Sequence, residues 1–440
     1  MSPGRWRVLA LVLLSSQAAG SAPAAASGAS LDSLAGRTLC RVEFAGHRAT
    51  AEHVIRREVR SRVGSPLDPV QVQRDVQRLR DLDIFSSVQA DAEPVGEGVA
   101  LRLRLREIPA VVPYVTYDVT DQDGWSFGPA VKAVNLLGRD IFLAGFALFG
   151  GKTSFLLDLN DPWIGGNHVS FDLHVARLER QDELDGFGET SLEVRPYVGT
   201  YLGERGRAAV GVTYLRLRAS PPDAALSANG VDHLLAVGMG LGWDSRDSWG
   251  NPHRGWQNEV HAIRTGGPLP GGADYWTVHL DARRFQPVLS HTLVLSGLLS
   301  LQSGRLDRSL PRYMDFHLGG SNSLRGYRLT DLGAVLSGKN QWLGTLEERF
   351  PLLPEGEVTL LGLSANLGLS GAVFLDHGLA WSRRGELDLD RARTGLGVGL
   401  RLLMPAIEMT RLDLGLGADG QWHIHLAGYS KMTAQRQRLR

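Results

Sequence analysis

Over residues 111–429, apolar and polar positions alternate with a period of two, segment after segment. In "VVPYVTYDVT", Val115, Tyr117 and Val119 share one face, and Tyr114, Thr116 and Asp118 the other. "NHVSFDLHV" sets Val169, Phe171, Leu173 and Val175 against Ser170, Asp172 and His174. "WTVHLDARR" and "QWHIHLAGY" repeat the pattern. Turn-forming stretches such as "NLLGRD", "DPWIGG", "SPPDAALSANG" and "DSRDSWGNPHRG" separate the segments. This periodicity predicts half-buried antiparallel strands. Roughly 320 residues at about 20 per strand and connection give about 16 strands. Strands with one apolar and one polar face fit a transmembrane β-barrel with lipid outside and a polar lumen. A large soluble β-sandwich or propeller is the alternative.

The pattern differs over residues 37–108. "TLCRVEF" predicts a strand. "TAEHVIRREVRSRVG" predicts a helix capped by Thr50 and stopped by Gly64, with Ile55, Val59 and Val63 as its apolar stripe. A second helix begins at Asp68-Pro69 and presents Val72, Val76 and Leu79. "SSVQADAE" and "GVALRLRLREI" are strands, the latter burying Val99, Leu101, Leu103 and Leu105. The βααββ order predicts a small α+β domain whose two helices cover one face of a three-stranded sheet.

The N-terminus favours the membrane barrel over the soluble alternatives. Arg5 and Arg7 precede a short apolar run, Val8 to Leu14, and then small residues. This is a secretory signal peptide, residues 1–22, and its apolar run is far short of the ~20 residues of a spanning helix. An exported chain without a spanning helix resides in a membrane only as a barrel. Nine of the ten Trp fall in the alternating region, as interface girdles would place them. Formal net charge is zero, so nucleic acid is not an expected partner. The single cysteine, Cys40, excludes an intramolecular disulfide.

Enzyme signatures are weak, and no catalytic, cofactor or metal site is expected. "GFALFGGKTS" approaches a phosphate loop, but Gly145 is one residue too far from Gly151-Lys152-Thr153, and the context is strand-loop-strand. His423 and His425 share a face without a third ligand. "RQDELDGFGE" lacks an EF-hand pattern, and no Gly-x-Ser-x-Gly elbow occurs.

One stretch interrupts the alternation. "GGSNSLRGYRL", residues 319–329, lies between the eleventh and twelfth strands, inside the longest outer loop, residues 303–339. Its Arg325, placed in a lumen, needs carboxylates. "GTLEERFPLL" puts Glu347 on one face with Arg349, and "GAVFLDHGLAW" puts Phe374, Asp376 and Gly378 on one face. Glu347 and Asp376 on adjacent strands can receive a forked guanidinium. A hydrated lumen would screen the charges, predicting a lock at or below the low end of ~3–5 kcal/mol. From the residues alone, ordinary lumen charges paired at random remain an equal reading.

These residues resemble the signature of the BamA/TamA superfamily, bacterial surface antigen-type outer-membrane assembly barrels preceded by periplasmic POTRA domains. The resemblance matches Arg325-Gly326-Tyr327 to the family's sixth-loop tripeptide. It matches Glu347 to the strand-twelve glutamate, and Phe374, Asp376 and Gly378 to the Phe-x-Asp-x-Gly of strand thirteen. Residues 37–108 are similar to a single POTRA module, where family members usually carry several. A basic tail, residues 430–440, follows Tyr429, where relatives usually end on an aromatic.

The resemblance implies a non-enzymatic factor of the bacterial outer membrane, with its N-terminal domain in the periplasm. It implies assembly of unfolded outer-membrane protein clients in the lipid bilayer, with periplasmic or lipoprotein accessory factors. The route would be a lateral seam between the first and last strands, weakened by Pro113 and Gly428. A polypeptide translocation pore of the two-partner secretion type is the alternative; a passive porin is disfavoured by the long sixth loop.

Overall fold

A computed structural model describes residues 31–120, 122–164, 168–182, 184, 186–248, 251–333, 336–360, 363–404 and 407–427. The signal peptide, Gly428, Tyr429 and the basic tail lie outside the described residues.

The first unit is the expected βααββ domain. Strand β1 (Leu39–Ala45) pairs parallel with β3 (Gly98–Glu107), which pairs antiparallel with β2 (Phe85–Val95), in the order β1-β3-β2. Helices α1 (Glu52–Glu58) and α2 (Pro69–Asp81) cover one face. Val99, Leu101, Leu103 and Leu105 are buried against them, with Val72, Val76 and Leu79 of α2. Asp68 caps α2 by accepting from Val70 N–H at 2.9 Å, and Pro69 fills the first turn, where its missing N–H is harmless.

Helix α1 is shorter than its periodicity predicts. Thr50 is not its cap, and Val63 is 64% exposed rather than part of a stripe. The reason is a competing acceptor. The buried Asp75 carboxylate of α2 takes the amides of Arg60 (3.1 Å) and Ser61 (2.9 Å), and Val59 turns extended to present them. Thr50 is instead an anchor. Its hydroxyl donates to Glu107 at 2.5 Å and accepts from Asn135 of the second unit at 2.7 Å.

The second unit is one 16-stranded antiparallel sheet. Its strands are β4 (Val111–Thr120), β5 (Gly124–Leu136), β6 (Ile141–Gly150), β7 (Thr153–Ile164), β8 (Val169–Asp182), β9 (Phe187–Leu202), β10 (Gly206–Ser220), β11 (Val231–Asp244), β12 (Gly255–Gly266), β13 (Asp274–Val288) and β14 (His291–Gln302). After the long loop, β17 (Asn340–Leu360), β18 (Leu363–Trp381), β19 (Arg393–Met404), β20 (Ile407–Leu416) and β21 (Trp422–Ala427) complete it. The loop contains a short ribbon, β15 (Phe316–His317) with β16 (Ser337–Gly338), and a turn of helix, α3 (Leu329–Gly333). Neighbours in the sheet follow chain order from β4 to β21. The sheet curls until β4 and β21 lie against each other, yet among the described residues no ladder joins them.

Most strands exceed the 9–11 residues that cross hydrocarbon; β17 has 21. The excess extends the wall beyond an apolar band whose outward side chains include Val115, Val210, Met239 and Leu295. The tryptophans divide between two roles. Trp125, Trp243, Trp256, Trp276 and Trp422 are outward and exposed, as interfacial residues are. Trp342 and Trp381 instead pack against the long loop, and Trp163 faces the small domain.

The small domain is docked on the barrel's turns. Ala51 N–H donates to Gly138 O, Arg57 pairs with Asp140 at 2.7 Å, and Arg60 pairs with Glu204. Arg57 also lies over Trp163 (4.7 Å), which packs tilted against His168 (3.6 Å); His168 stacks on Tyr201 (4.2 Å), and Arg207 covers Tyr201 (4.3 Å). Burial, then the charges of Arg57 and Arg207, push the His168 imidazole below its ordinary value. A histidine depressed in the docked state favours docking above its free value of about 6.5 and loses that contribution as pH falls through the depressed value. Spin labels at Val63 and Leu289, in a Cys40→Ser background, should give a narrow distance distribution at pH 7.5 and a broader one near pH 5. A distribution unchanged with pH, or a pH response that persists in His168→Phe, would contradict this.

Candidate functional site: the sixth-loop lock

The loop between β14 and β17 turns inward. Leu318, Leu324, Tyr327, Leu332 and Leu336 pack with Leu298, Leu343 and Leu379 of the wall. This apolar packing drives the segment into the lumen and carries Arg325 with it, leaving the side chain 3% exposed.

The guanidinium meets three carboxylates. Asp376 on β18 takes the fork, with Nε to Oδ2 at 2.7 Å and Nη2 to Oδ1 at 2.9 Å. Nη1 donates to Glu347 on β17 at 2.9 Å and to Asp413 on β20 at 3.3 Å. The Arg325 amide also donates to Asp376, at 3.1 Å. The ring of Phe374 lies 3.5 Å beneath the guanidinium carbon, adding a cation–π contact. Arg401 on β19 bridges Glu347 (2.8 Å) and Asp413, and Arg349 reaches Glu347 at 2.7 Å. Three arginines thus form ion pairs with three carboxylates. Burial alone would lower the Arg325 pKa; the hydrogen bonds and charge of Asp376, then Glu347 and Asp413, outweigh it and hold the value above the ordinary arginine range.

The backbone around Arg325 is built for close approach. Gly326 has φ +98°, where a side chain would be strained, and a Cβ there would sit 2.7 Å from Leu416 O. Across from it, a Cβ on Gly395 would run into Arg325 O, and one on Gly415 into Gly326 N. Tyr327 is 7% exposed; its hydroxyl donates to Thr394 O (2.9 Å) and accepts from Ala418 N–H (2.8 Å). Gly378 leaves room for Leu318, whose Cδ1 would lie 3.2 Å from an added Cβ.

The structure therefore brings Arg325, Gly326, Tyr327, Glu347, Phe374, Asp376 and Gly378 together. It differs from expectation in dryness: Glu347 is 4% and Asp376 0% exposed, so solvent screens the pair far less than a hydrated lumen would. Sequence reasoning missed Arg401, Asp413 and the glycines Gly395 and Gly415. A signal was available, since alternation along "RTGLGVGLRLL" puts Gly395, Gly397, Gly399 and Arg401 on one inward face. It also missed a second anchor: Tyr313 Oη donates to the buried Asp232 at 2.8 Å, tying the loop's first half to β11.

The remaining candidates are placed as follows. Pro113 sits in β4 opposite Val131 of β5; Gly428 lies outside the described residues. Lys152 is held by Asp118 (2.5 Å) and Asp123 (3.1 Å) in the β6–β7 turn. His423 and His425 both face inward, their ring centroids 6.3 Å apart. Among the described residues, no group of three or more His, Cys, Asp or Glu is placed to hold a metal ion.

Comparison with known proteins agrees with this geometry. A family profile described as "Omp85 superfamily domain" matches residues 135–423, and one described as "Surface antigen variable number repeat", the POTRA module, matches 38–121. The chain is 23% identical over 409 residues to the outer membrane protein assembly factor BamA of Nitratidesulfovibrio vulgaris; the match covers 87% of this chain and 49% of that protein. The chain thus spans about half the length of that relative. Among solved structures it resembles BamA from Haemophilus ducreyi lacking POTRA domains 1–3 (TM-score 0.56, 14% identity, covering 89% of this chain and 83% of that one). It also resembles CdiB from Escherichia coli (TM-score 0.58, 14% identity, covering 90% and 75%). The barrel, the POTRA module ahead of it and the extent of the profile match establish that the chain belongs to the Omp85 superfamily of outer-membrane β-barrel proteins, with its POTRA domain in the periplasm.

Proposed function

We propose that this protein inserts or assembles β-barrel clients in the outer membrane, the activity named for its BamA relative. The observation that carries the reading is the pairing of two features. The sheet ends at β4 and β21 meet without a ladder among the described residues, while the sixth loop is locked to β17, β18 and β20 beside that junction. An unpaired strand edge templates an incoming strand. Pro113, lacking an amide donor, weakens β4 as a partner for β21. The POTRA sheet, order β1-β3-β2, offers outer strands to which an unfolded client can add. Unfolded outer-membrane proteins are the expected clients, with periplasmic or lipoprotein accessory factors as further partners. The reading asks for no catalytic residue and no cofactor.

A translocation pore of the two-partner secretion type uses the same barrel fold. That reading usually carries a lumen-plugging N-terminal helix and two POTRA units; among the described residues one POTRA unit precedes the barrel.

Depletion of the protein should lower the abundance of other β-barrel proteins in the outer-membrane proteome. Loss of one secreted polypeptide with the barrel proteome intact would favour the pore instead. Orientation is tested separately. An epitope beside Gly186, in the β8–β9 turn, should be labelled on intact cells, and one at Leu289, in the β13–β14 turn, only after permeabilisation. Labelling of Leu289 on intact cells would invert the topology.

A further inference from the structure

The lock reaches one strand further than the charge network does. Gly326 N–H donates to His425 Nε2 at 3.2 Å, and His425 stands on β21, the last described strand and one of the two sheet ends. The imidazole is 4% exposed, and on β20 it faces Asp413, itself an Arg325 partner. Nε2 accepts only from a neutral ring carrying its proton on Nδ1. The contact depends on the turn geometry already described: Gly326 at φ +98° aims its amide at β21, and Gly415 clears the path between them.

The described residues of β21, Trp422–Ala427, pair with Arg411–Leu416 of β20 on one side, and no ladder to β4 is described on the other. A strand at the end of a sheet opens locally at lower cost than one inside it. The buried hydrogen bond from Gly326 ties this end strand to the seated loop.

We propose that His425 is a positioning residue that latches β21 to the sixth loop. The C-terminal edge of the barrel is held while the Arg325-Gly326 turn is seated and is freed when the turn leaves. The significance of the latch for client insertion rests on the seam reading above; the latch itself does not. It makes the loop lock the control element of the seam, since unseating one turn removes a contact from the strand that must move.

Hydrogen exchange of the β21 amides, read by mass spectrometry on the full-length protein in lipid nanodiscs, tests this. His425→Phe keeps the ring and loses the acceptor; exchange over His423–Leu426 should rise about tenfold, with β17 and β18 unchanged. His425→Gln returns an acceptor near the Nε2 position and should stay within about threefold of wild type. Arg325→Ala unseats the turn with His425 intact and should accelerate β21 as His425→Phe does. The double variant should be no faster than Arg325→Ala alone. Should His425→Phe fail to fold, wild-type β21 exchange in Arg325→Ala still overturns the latch.

Wild-type exchange of β21 in either single variant overturns the latch, as does His425→Gln behaving like His425→Phe. Client insertion into vesicles by His425→Phe separates the two readings. Faster β21 exchange with unchanged insertion supports the latch and refutes the seam as the working element.

Discussion

Arg325→Ala is expected to release the sixth loop and cost about 3–5 kcal/mol of barrel stability, without preventing membrane insertion of the protein itself. The magnitude follows from burial. Asp376 is 0% exposed and Glu347 4%, so neither carboxylate recovers its solvation when the guanidinium is removed. Asp376 would keep the Thr345 hydroxyl at 2.8 Å, a neutral donor in place of a forked cation. Arg325→Lys should recover little. An ammonium cannot hold Asp376 in two-pronged fashion, reach Glu347 and Asp413 together, and lie flat on Phe374. The interaction is measured by a double-mutant cycle of Arg325→Ala with Asp376→Ala. The readouts are heat-modifiable electrophoretic mobility and protease sensitivity of residues 303–339. The combined loss should fall short of the sum by about 1–3 kcal/mol; strict additivity would mean that the residues do not interact.

The second large effect is expected at the seam. Cysteines scanned along Val112–Thr116 of β4 and His423–Leu426 of β21, with Cys40 replaced by Ser, should yield pairs that cross-link on oxidation. In those variants client assembly should fall by about tenfold or more when oxidised and return on reduction, because a covalently closed cylinder offers no edge. Each single-cysteine variant, oxidised in the same way, controls for damage by the oxidant. Full activity with the seam quantitatively cross-linked would rule out lateral opening.

How much of this was legible depends on the range of each interaction. The barrel, its strand number and the position of the sixth loop follow from period-two alternation, which lipid on one side and polar lumen on the other impose along every strand. Glu347 and Asp376 were legible because they sit on adjacent strands and alternation settles which way each points. Asp413 and His425 were not: they lie 88 residues from Arg325 and 99 from Gly326, and only closure of the sheet brings them close. The truncation of α1 escaped notice for a similar reason. Its apolar stripe continues to Val63, but the acceptor that ends the helix, Asp75, belongs to another helix. Tryptophan count predicts interfacial girdles, and Trp125, Trp243, Trp256, Trp276 and Trp422 face outward. It could not separate outward Trp125 from Trp342 and Trp381, because their packing against the sixth loop is a tertiary fact.

The most direct measurement is reconstitution. The purified protein in lipid vesicles, offered an unfolded β-barrel client held soluble by a chaperone, should accelerate the client's appearance as a folded, heat-modifiable barrel in the bilayer, relative to protein-free vesicles. The oxidised seam-linked variant should lose that acceleration, and reduction should restore it. No acceleration, or client delivered soluble into the vesicle interior, would contradict the assembly function proposed here.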